Sequence, residues 1–163
     1  MSRQVLPDQE YALTAWVRLL RAHAALKRGF NARLQVEHGL TVNDYEALLL
    51  LSQAEEGRLK RIALADRLQL TPSGVTRLLD GLERAGWVVK AACDTDARVT
   101  YAVLTESGRT KLGQASCSHV AAVSALFSER FEPDELRTLG ELLLRLPGAS
   151  DADPAACSPP EPL

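Results

Sequence analysis

The sequence predicts a mainly α protein with a small β-hairpin. Three observations carry this prediction. Residues 60–68 and 72–86 have apolar side chains three and four positions apart and are joined by a tight turn, the pattern of a helix-turn-helix. Residues 87–90 and 99–104 are rich in Val and Tyr and flank a turn-like stretch, the pattern of a hairpin. Long amphipathic segments on both sides predict further helices.

The first predicted helix opens at Pro7 and Asp8 and stops at Gly39. Its larger side chains recur at spacings of three and four, so they share one face. They are Trp16, Leu19, His23, Leu26, Phe30 and Leu34.

The second predicted helix runs from about Asp44 to Ala54, with Thr41 or Asn43 as its N-cap. Asn43 would form a capping box with Glu46. The helix is apolar nearly all round, so we expect it to be buried. A short strand at 58–59 follows.

The helix-turn-helix consists of a helix over 60–68 and a second helix that starts after Thr71. The first helix should bury Ile62, Leu64, Ala65 and Leu68. Thr71 is the expected N-cap of the second helix, with Pro72 at its first position, where a missing N–H costs nothing. Val75, Leu78, Leu79 and Leu82 form its predicted buried face, and Gly86 ends it.

The C-terminal part predicts two more helices. Thr105 caps one that runs from Glu106 to about Phe131, and Pro133 begins the last. In the last helix four leucines form a seam of coiled-coil type. They are Leu136, Leu139, Leu143 and Leu146.

Composition narrows the class of protein. At 163 residues, with 46% hydrophobic and 25% charged residues, the chain is an ordinary soluble domain. It has no apolar run of the length that a membrane span needs and no signal-peptide pattern, so we expect a cytoplasmic protein without a membrane partner. The three cysteines, Cys93, Cys117 and Cys157, form no CxxC pair, which argues against a disulfide framework and a zinc site.

Charge is distributed unevenly. The net charge is −2, but residues 57–112 hold ten Lys or Arg against six Asp or Glu, a net +4 that leaves −6 for the rest. A basic module between acidic helices is what a local DNA footprint requires, and a solvated surface with scattered charges is the alternative.

The order of elements resembles that of the MarR family of transcriptional regulators. Two segments carry the resemblance: IALADRLQLTPSGVTRLLDGLERAGWV at 62–88 and CDTDARVTYAVLTESGR at 93–109. The resemblance implies a winged helix-turn-helix with flanking dimerisation helices. It also implies a homodimer that binds a pseudo-palindromic operator in double-stranded DNA, as a ligand-responsive repressor.

The resemblance also suggests a division of the chain. Residues 1–40 would be the N-terminal dimerisation helix and 41–105 the winged helix-turn-helix DNA-binding lobe. Residues 106–147 would be the C-terminal dimerisation helices. Residues 148–163, rich in Pro and small polar residues, would be a disordered tail.

Candidate DNA-binding residues fall on the second helix of the motif and on the wing. By resemblance, Ser73, Gly74, Thr76 and Arg77 face the major groove, while Asp96 supports Arg98 in the minor groove. Independently, Arg can bond guanine with two hydrogen bonds, and a wing-tip Arg suits a narrow, electronegative minor groove.

Two further cations are candidates for phosphate contacts. Lys60 and Arg61 lie at the start of a helix, where a positive charge opposes the helix dipole, and a nearby phosphate would compensate. Two solvated charges are the alternative interpretation.

Three features depart from the usual family pattern. Ala97 stands where a second wing-tip Arg is common, Ala91 and Ala92 replace charged residues, and the helix near Lys60 has no Ser or Thr cap. Ala97 and the Ala91–Ala92 pair leave open an alternative function, a winged-helix module for protein–protein contacts with weak or no DNA binding.

The resemblance places an effector cleft between the dimer helices and the DNA-binding lobe. Trp16, His23, His38 and Tyr45 are its aromatic candidates, although a core role is favoured for Trp16 and a core or interface role for His23. A redox-sensing cysteine is the alternative regulatory mechanism. No nucleophile motif, phosphate loop or HExxH is present, so we expect neither catalysis nor a cofactor nor a metal.

Overall fold

The structure, a computed structural model, describes residues 7–92 and 99–147, which form two compact units, one up to Val42 and the other from Asn43. Its elements follow the predicted order. They are α1 (Pro7–His38), α2 (Val42–Gln53), β1 (Arg58–Lys60), α3 (Arg61–Arg67), α4 (Pro72–Arg84), β2 (Val88–Ala92), β3 (Thr100–Leu104), α5 (Glu106–Ser128) and α6 (Pro133–Leu143). The predicted tail, 148–163, lies outside the described residues.

Helix α1 has the predicted bounds. Gly39 ends it in a left-handed conformation, with φ +68° and its amide 3.0 Å from the Gln35 carbonyl oxygen. Trp16 is 56% exposed, so the prediction of a core role within the chain is wrong for Trp16. His23 is also exposed, which leaves its predicted interface role as a prediction. Helical periodicity places side chains on one face but does not say what covers that face.

Helix α2 begins at Val42, two residues before the predicted start. Thr41 is therefore the residue that precedes the helix, and Asn43 as its cap is wrong because Asn43 lies inside it. Burial of the helix is confirmed, since Ala47, Leu48 and Leu51 are fully buried.

The β-structure is a three-stranded antiparallel sheet in the order β1–β3–β2. The predicted hairpin is β2 and β3, with Val88 opposite Leu104, and the predicted short strand adds β1 as the other edge. Val88, Ala102 and Leu104 are buried, so one face of the sheet contributes to the core.

In helix α3 the prediction that Ile62 is buried is wrong, because Ile62 is 71% exposed. At 3.6 residues per turn, Ile62 lies about 160° around the helix from Leu64. Leu64 is fully buried, so Ile62 lies on the side of the helix away from it.

Both C-terminal helices end earlier than predicted: α5 stops three residues before Phe131, and α6 stops before the last leucine of the seam. Helix α5 ends at Ser128, and α6 ends at Leu143, so Leu146 of the predicted seam lies beyond the helix. Pro133 begins α6 as predicted, and the Glu132 amide donates to a Glu135 carboxylate oxygen at 2.9 Å. This is half of a capping box, which fixes the helix start.

Candidate nucleic-acid interface

Helix α4 begins with the predicted cap. The Thr71 hydroxyl accepts a hydrogen bond from the Gly74 amide at 3.1 Å, and Pro72 occupies the first turn. One face of the helix is buried through Val75, Leu79 and Leu82. The opposite face is presented to solvent as a mostly polar surface.

Arg77 and Ser73 are exposed on that surface. Ser73 lies 3.2 Å, oxygen to oxygen, from the Thr71 hydroxyl. Within the described part of the chain, the Arg77 guanidinium makes no ion pair. None of its five donors is therefore used in an ion pair with residues 7–92 or 99–147.

Thr76 is already engaged. Its hydroxyl donates to the Pro72 carbonyl oxygen at 2.8 Å, and the Arg61 guanidinium lies 3.4 Å from the same hydroxyl oxygen. The structure thus brings Arg61 of α3 next to the candidate surface of α4. Lys60 forms the N-cap of α3 without a side-chain hydrogen bond, as the missing Ser or Thr predicts.

Gly74 has a local packing role that the sequence does not indicate. A Cβ on this residue would stand 3.1 Å from the Thr71 hydroxyl oxygen and 3.6 Å from the Leu70 Cβ. A side chain here would press on the helix cap, so glycine protects the cap as well as opening the surface.

The wing strands β2 and β3 follow α4 directly. The predicted groove residues Asp96 and Arg98, like Ala97 and Cys93, lie outside the described residues. Ala91 is half-buried and Ala92 exposed on the strand that leads toward them.

Lys90 of β2 connects the wing to the candidate surface helix. Its ammonium lies 2.5 Å from an Asp80 carboxylate oxygen and 2.9 Å from a Glu83 carboxylate oxygen. Hydrogen bonds to Asp80 and then to Glu83 raise the pKa of Lys90 above its ordinary value, so the side chain stays charged at neutral pH. A count of charges along the sequence treats Lys90 as one of the free cations of the basic module, which it is not.

Hydrogen bonds connect the start of α5 to the residues just before β2. The Thr105 hydroxyl accepts from the Gly108 amide at 3.0 Å and donates to the Gly86 carbonyl oxygen at 2.7 Å. The Thr105 amide also donates to the Trp87 carbonyl oxygen at 3.1 Å. The sequence LTESG therefore joins the end of α4, the wing and α5 at one point.

Of the candidate effector residues, Tyr45 is 3% exposed in the second unit. Its hydroxyl lies 3.2 Å from the hydroxyl of the buried Ser116, and its ring centroid is 4.7 Å from that of His119. No local signal in the sequence indicates these contacts of Tyr45, because Ser116 and His119 lie 71 and 74 positions further along the chain. Asn43 Oδ1 is a buried acceptor without a hydrogen-bond partner within the described residues.

Trp16, His23 and His38 belong to the first unit. Trp16 and His23 are exposed there, and His38 Nε2 lies 3.8 Å from a Glu37 carboxylate oxygen. Cys117 is an exposed free thiol on α5, whereas Cys93 and Cys157 lie outside the described residues. No helix in 7–92 or 99–147 combines the length and apolar composition that a membrane span requires.

Comparison with known proteins identifies the group to which the chain belongs. A family profile described as MarR family matches residues 38–99. The HTH-type transcriptional repressor YetL of Bacillus subtilis is 34% identical over 112 residues, which is 66% of each chain. The HTH-type transcriptional regulator MhqR of the same organism is 28% identical and covers 84% of this chain and 92% of its own.

Two solved structures from Streptomyces coelicolor have a similar fold. AbsC, a MarR family transcriptional regulator, has a TM-score of 0.74 at 30% identity, covering 87% of this chain and 93% of its own. Sco3205, a MarR family transcriptional regulator solved in complex with DNA, has a TM-score of 0.76 at 26% identity, covering 92% and 96%.

A helix-turn-helix followed by a small antiparallel sheet defines a winged helix-turn-helix protein. Within this class of proteins, the comparisons identify the family: the chain belongs to the MarR family of transcriptional regulators. The comparisons give no support to the alternative of a protein-interaction module.

Proposed function

We propose that the chain is a sequence-specific DNA-binding regulator that presents the exposed surface of α4 to the major groove. The observation that carries the proposal is the division of α4 into two faces. Val75, Leu79 and Leu82 are buried, while Arg77 is exposed and makes no ion pair within the described residues. A guanidinium fixed on a rigid helix suits bidentate recognition of guanine.

The proposed contacts divide by role. Arg77 and Ser73 would recognise bases, while Arg61, held beside Thr76, and Lys60 would contact phosphates. Asp96 and Arg98 would form the minor-groove contact of the wing. The DNA complex of the relative Sco3205 supports this assignment at the level of the fold.

A homodimer is part of the proposal. Several apolar side chains of α1 are exposed on this single chain, as are leucines at and beyond the end of α6. They are Tyr11, Leu13, Trp16, Val17, Leu20, Leu142, Leu143, Leu144 and Leu146. Apolar surface of this extent is typical of an interface, so residues 1–40 and 106–147 would provide the dimer contacts and 41–105 the DNA-binding lobe.

We propose further that a small molecule controls DNA binding and that the protein acts as a cytoplasmic repressor without catalytic activity. The name of the relative YetL supports repression. Asn43 Oδ1, a buried acceptor without a hydrogen-bond partner in 7–92 or 99–147, is a polar group that a ligand would satisfy.

The test is fluorescence polarisation with the DNA that flanks the chain's own gene. We expect specific binding at least about 10³-fold tighter than binding to random DNA at the same salt concentration. Equal affinity for both DNAs would overturn the proposal. A screen of aromatic and other small molecules by thermal shift then tests effector binding, because a ligand of the folded state raises its apparent stability.

A further inference from the structure

Lys90 is the feature of the DNA-binding lobe that the proposed contacts leave unused. Its ammonium lies between two carboxylates of α4, 2.5 Å from Asp80 and 2.9 Å from Glu83. Asp80 and Glu83 are three positions apart, so they are neighbours on the helix surface. One strand residue therefore holds two successive turns of the recognition helix.

The register of the sheet explains why Lys90 points to α4. Lys90 is opposite the buried Ala102 and two residues from the buried Val88, so its side chain leaves the inner face of the sheet. Its side chain is 31% exposed, less than the Asp80 and Glu83 side chains at 49% and 42%. Lys90 thereby offsets one of the two negative charges on a lobe that has to approach phosphates.

We infer that Lys90, Asp80 and Glu83 are positioning residues that fix the orientation of α4 relative to the wing strand β2. This inference rests on the proposed function. Two DNA-contacting elements bind well together only if their relative orientation is fixed before binding, since ordering them at binding would cost affinity. Partly exposed ion pairs add little to global stability, so the effect should fall on DNA affinity.

For the two acids, charge counting and the positioning role predict opposite effects on DNA affinity. Asp80→Asn or Glu83→Gln removes a negative charge from the DNA-binding lobe and should tighten binding if charge alone mattered. If the acids position α4 through Lys90, each substitution weakens operator binding by about threefold to tenfold. Asp66→Asn is the matched control, because Asp66 is an exposed acid of α3 without an ion pair within the described residues.

Lys90 itself gives a second measurement. Lys90→Gln should weaken binding by a similar factor without changing the slope of log K against log salt, because Lys90 releases no counterion from DNA. A direct phosphate contact would instead lower that slope by about 0.9 per contact. Lys90→Arg should retain affinity, and combining Lys90→Gln with Asp80→Asn should cost no more than the worse single substitution.

Hydrogen exchange of the DNA-free protein tests the coupling between α4 and β2 without relying on operator binding. We expect Asp80→Asn, but not Asp66→Asn, to speed amide exchange in β2 and in the second half of α4. Unchanged exchange, or Asp80→Asn and Glu83→Gln proteins that bind DNA as tightly as the wild type, would overturn the inference. If wild-type protein shows no operator preference while the exchange effect is present, the proposed function fails and the coupling stands.

Discussion

Gly108 lies so close to Trp87 that a Cβ on it would stand 2.1 Å from the Trp87 carbonyl oxygen and 2.8 Å from a Leu104 methyl carbon. The first of these atoms belongs to the backbone, which has no rotamer by which to move away. The Gly108 amide also donates to the Thr105 hydroxyl, so the same residue completes the cap of α5. Glycine is thus required where the wing meets α5.

Gly108→Ala should lower the free energy of unfolding by at least about 2 kcal/mol, because the added methyl group overpacks a backbone contact. Gly113→Ala is the control, since a Cβ at Gly113 of the same helix meets nothing within 4 Å. That change should raise stability by up to about 1 kcal/mol through helix propensity. Urea denaturation measures both, and equal stability of the two variants would contradict the packing argument.

The helices and their order were predictable because their signals are local. Thr71 with Pro72, Thr105, Gly39 and Pro133 each mark a helix end by their own chemistry, and each lies where predicted. The error at Ile62 has a different origin. Helix α3 has only seven residues, and so short a segment does not define which side is apolar.

The candidate site was predictable only in part. The exposed position of Arg77 follows from helical periodicity. The pairing of Lys90 with Asp80, and of Tyr45 with Ser116, depends on contacts between separate elements. Charge counting treats each ion as independent, so it cannot distinguish a cation that meets DNA from one that holds a helix.

Arg77→Ala should relax base preference by about 1–3 kcal/mol at one base pair in each half-site, because it removes the paired hydrogen bonds to guanine. Arg77→Lys keeps the charge but not the forked geometry, so it should lose discrimination while retaining the salt dependence. Competition binding with single-base operator variants measures this. Full discrimination by Arg77→Ala would show that Arg77 contacts no base.

The half-sites of the operator should lie about 10 bp apart, centre to centre, because a two-fold dimer presents both recognition helices to one side of the DNA. Footprinting on the flanking DNA measures the spacing. Protection of one isolated half-site by the wild-type protein would contradict a symmetric dimer on DNA.

Leu143→Asp should dissociate the proposed dimer. Leu143 is 38% exposed on the single chain, so a charge there disturbs a partner more than it disturbs the chain's own core. Gln69→Asp adds the same charge at an exposed polar position outside 1–40 and 106–147, so it should leave the molecular mass of the dimer unchanged. Light scattering measures the molecular mass of both variants and of the wild type. A wild-type protein that is itself a folded monomer would exclude the proposed dimer interface.

The wing motif gives a test in which the sign of the effect matters. Arg98→Ala should weaken DNA binding for many sequences and reduce the slope of log K against log salt by about 0.9 for each neutralised phosphate that it frees. Asp96→Ala should also weaken binding, although it removes a negative charge, because the proposed role of Asp96 is to hold Arg98 in place. Ala97→Arg adds a cation at the position where a second wing-tip Arg is common, so it should tighten binding at low salt. A salt titration by fluorescence polarisation follows all three variants. If Asp96→Ala binds as well as the wild type at every salt concentration, Asp96 is a turn residue and Arg98 acts without it.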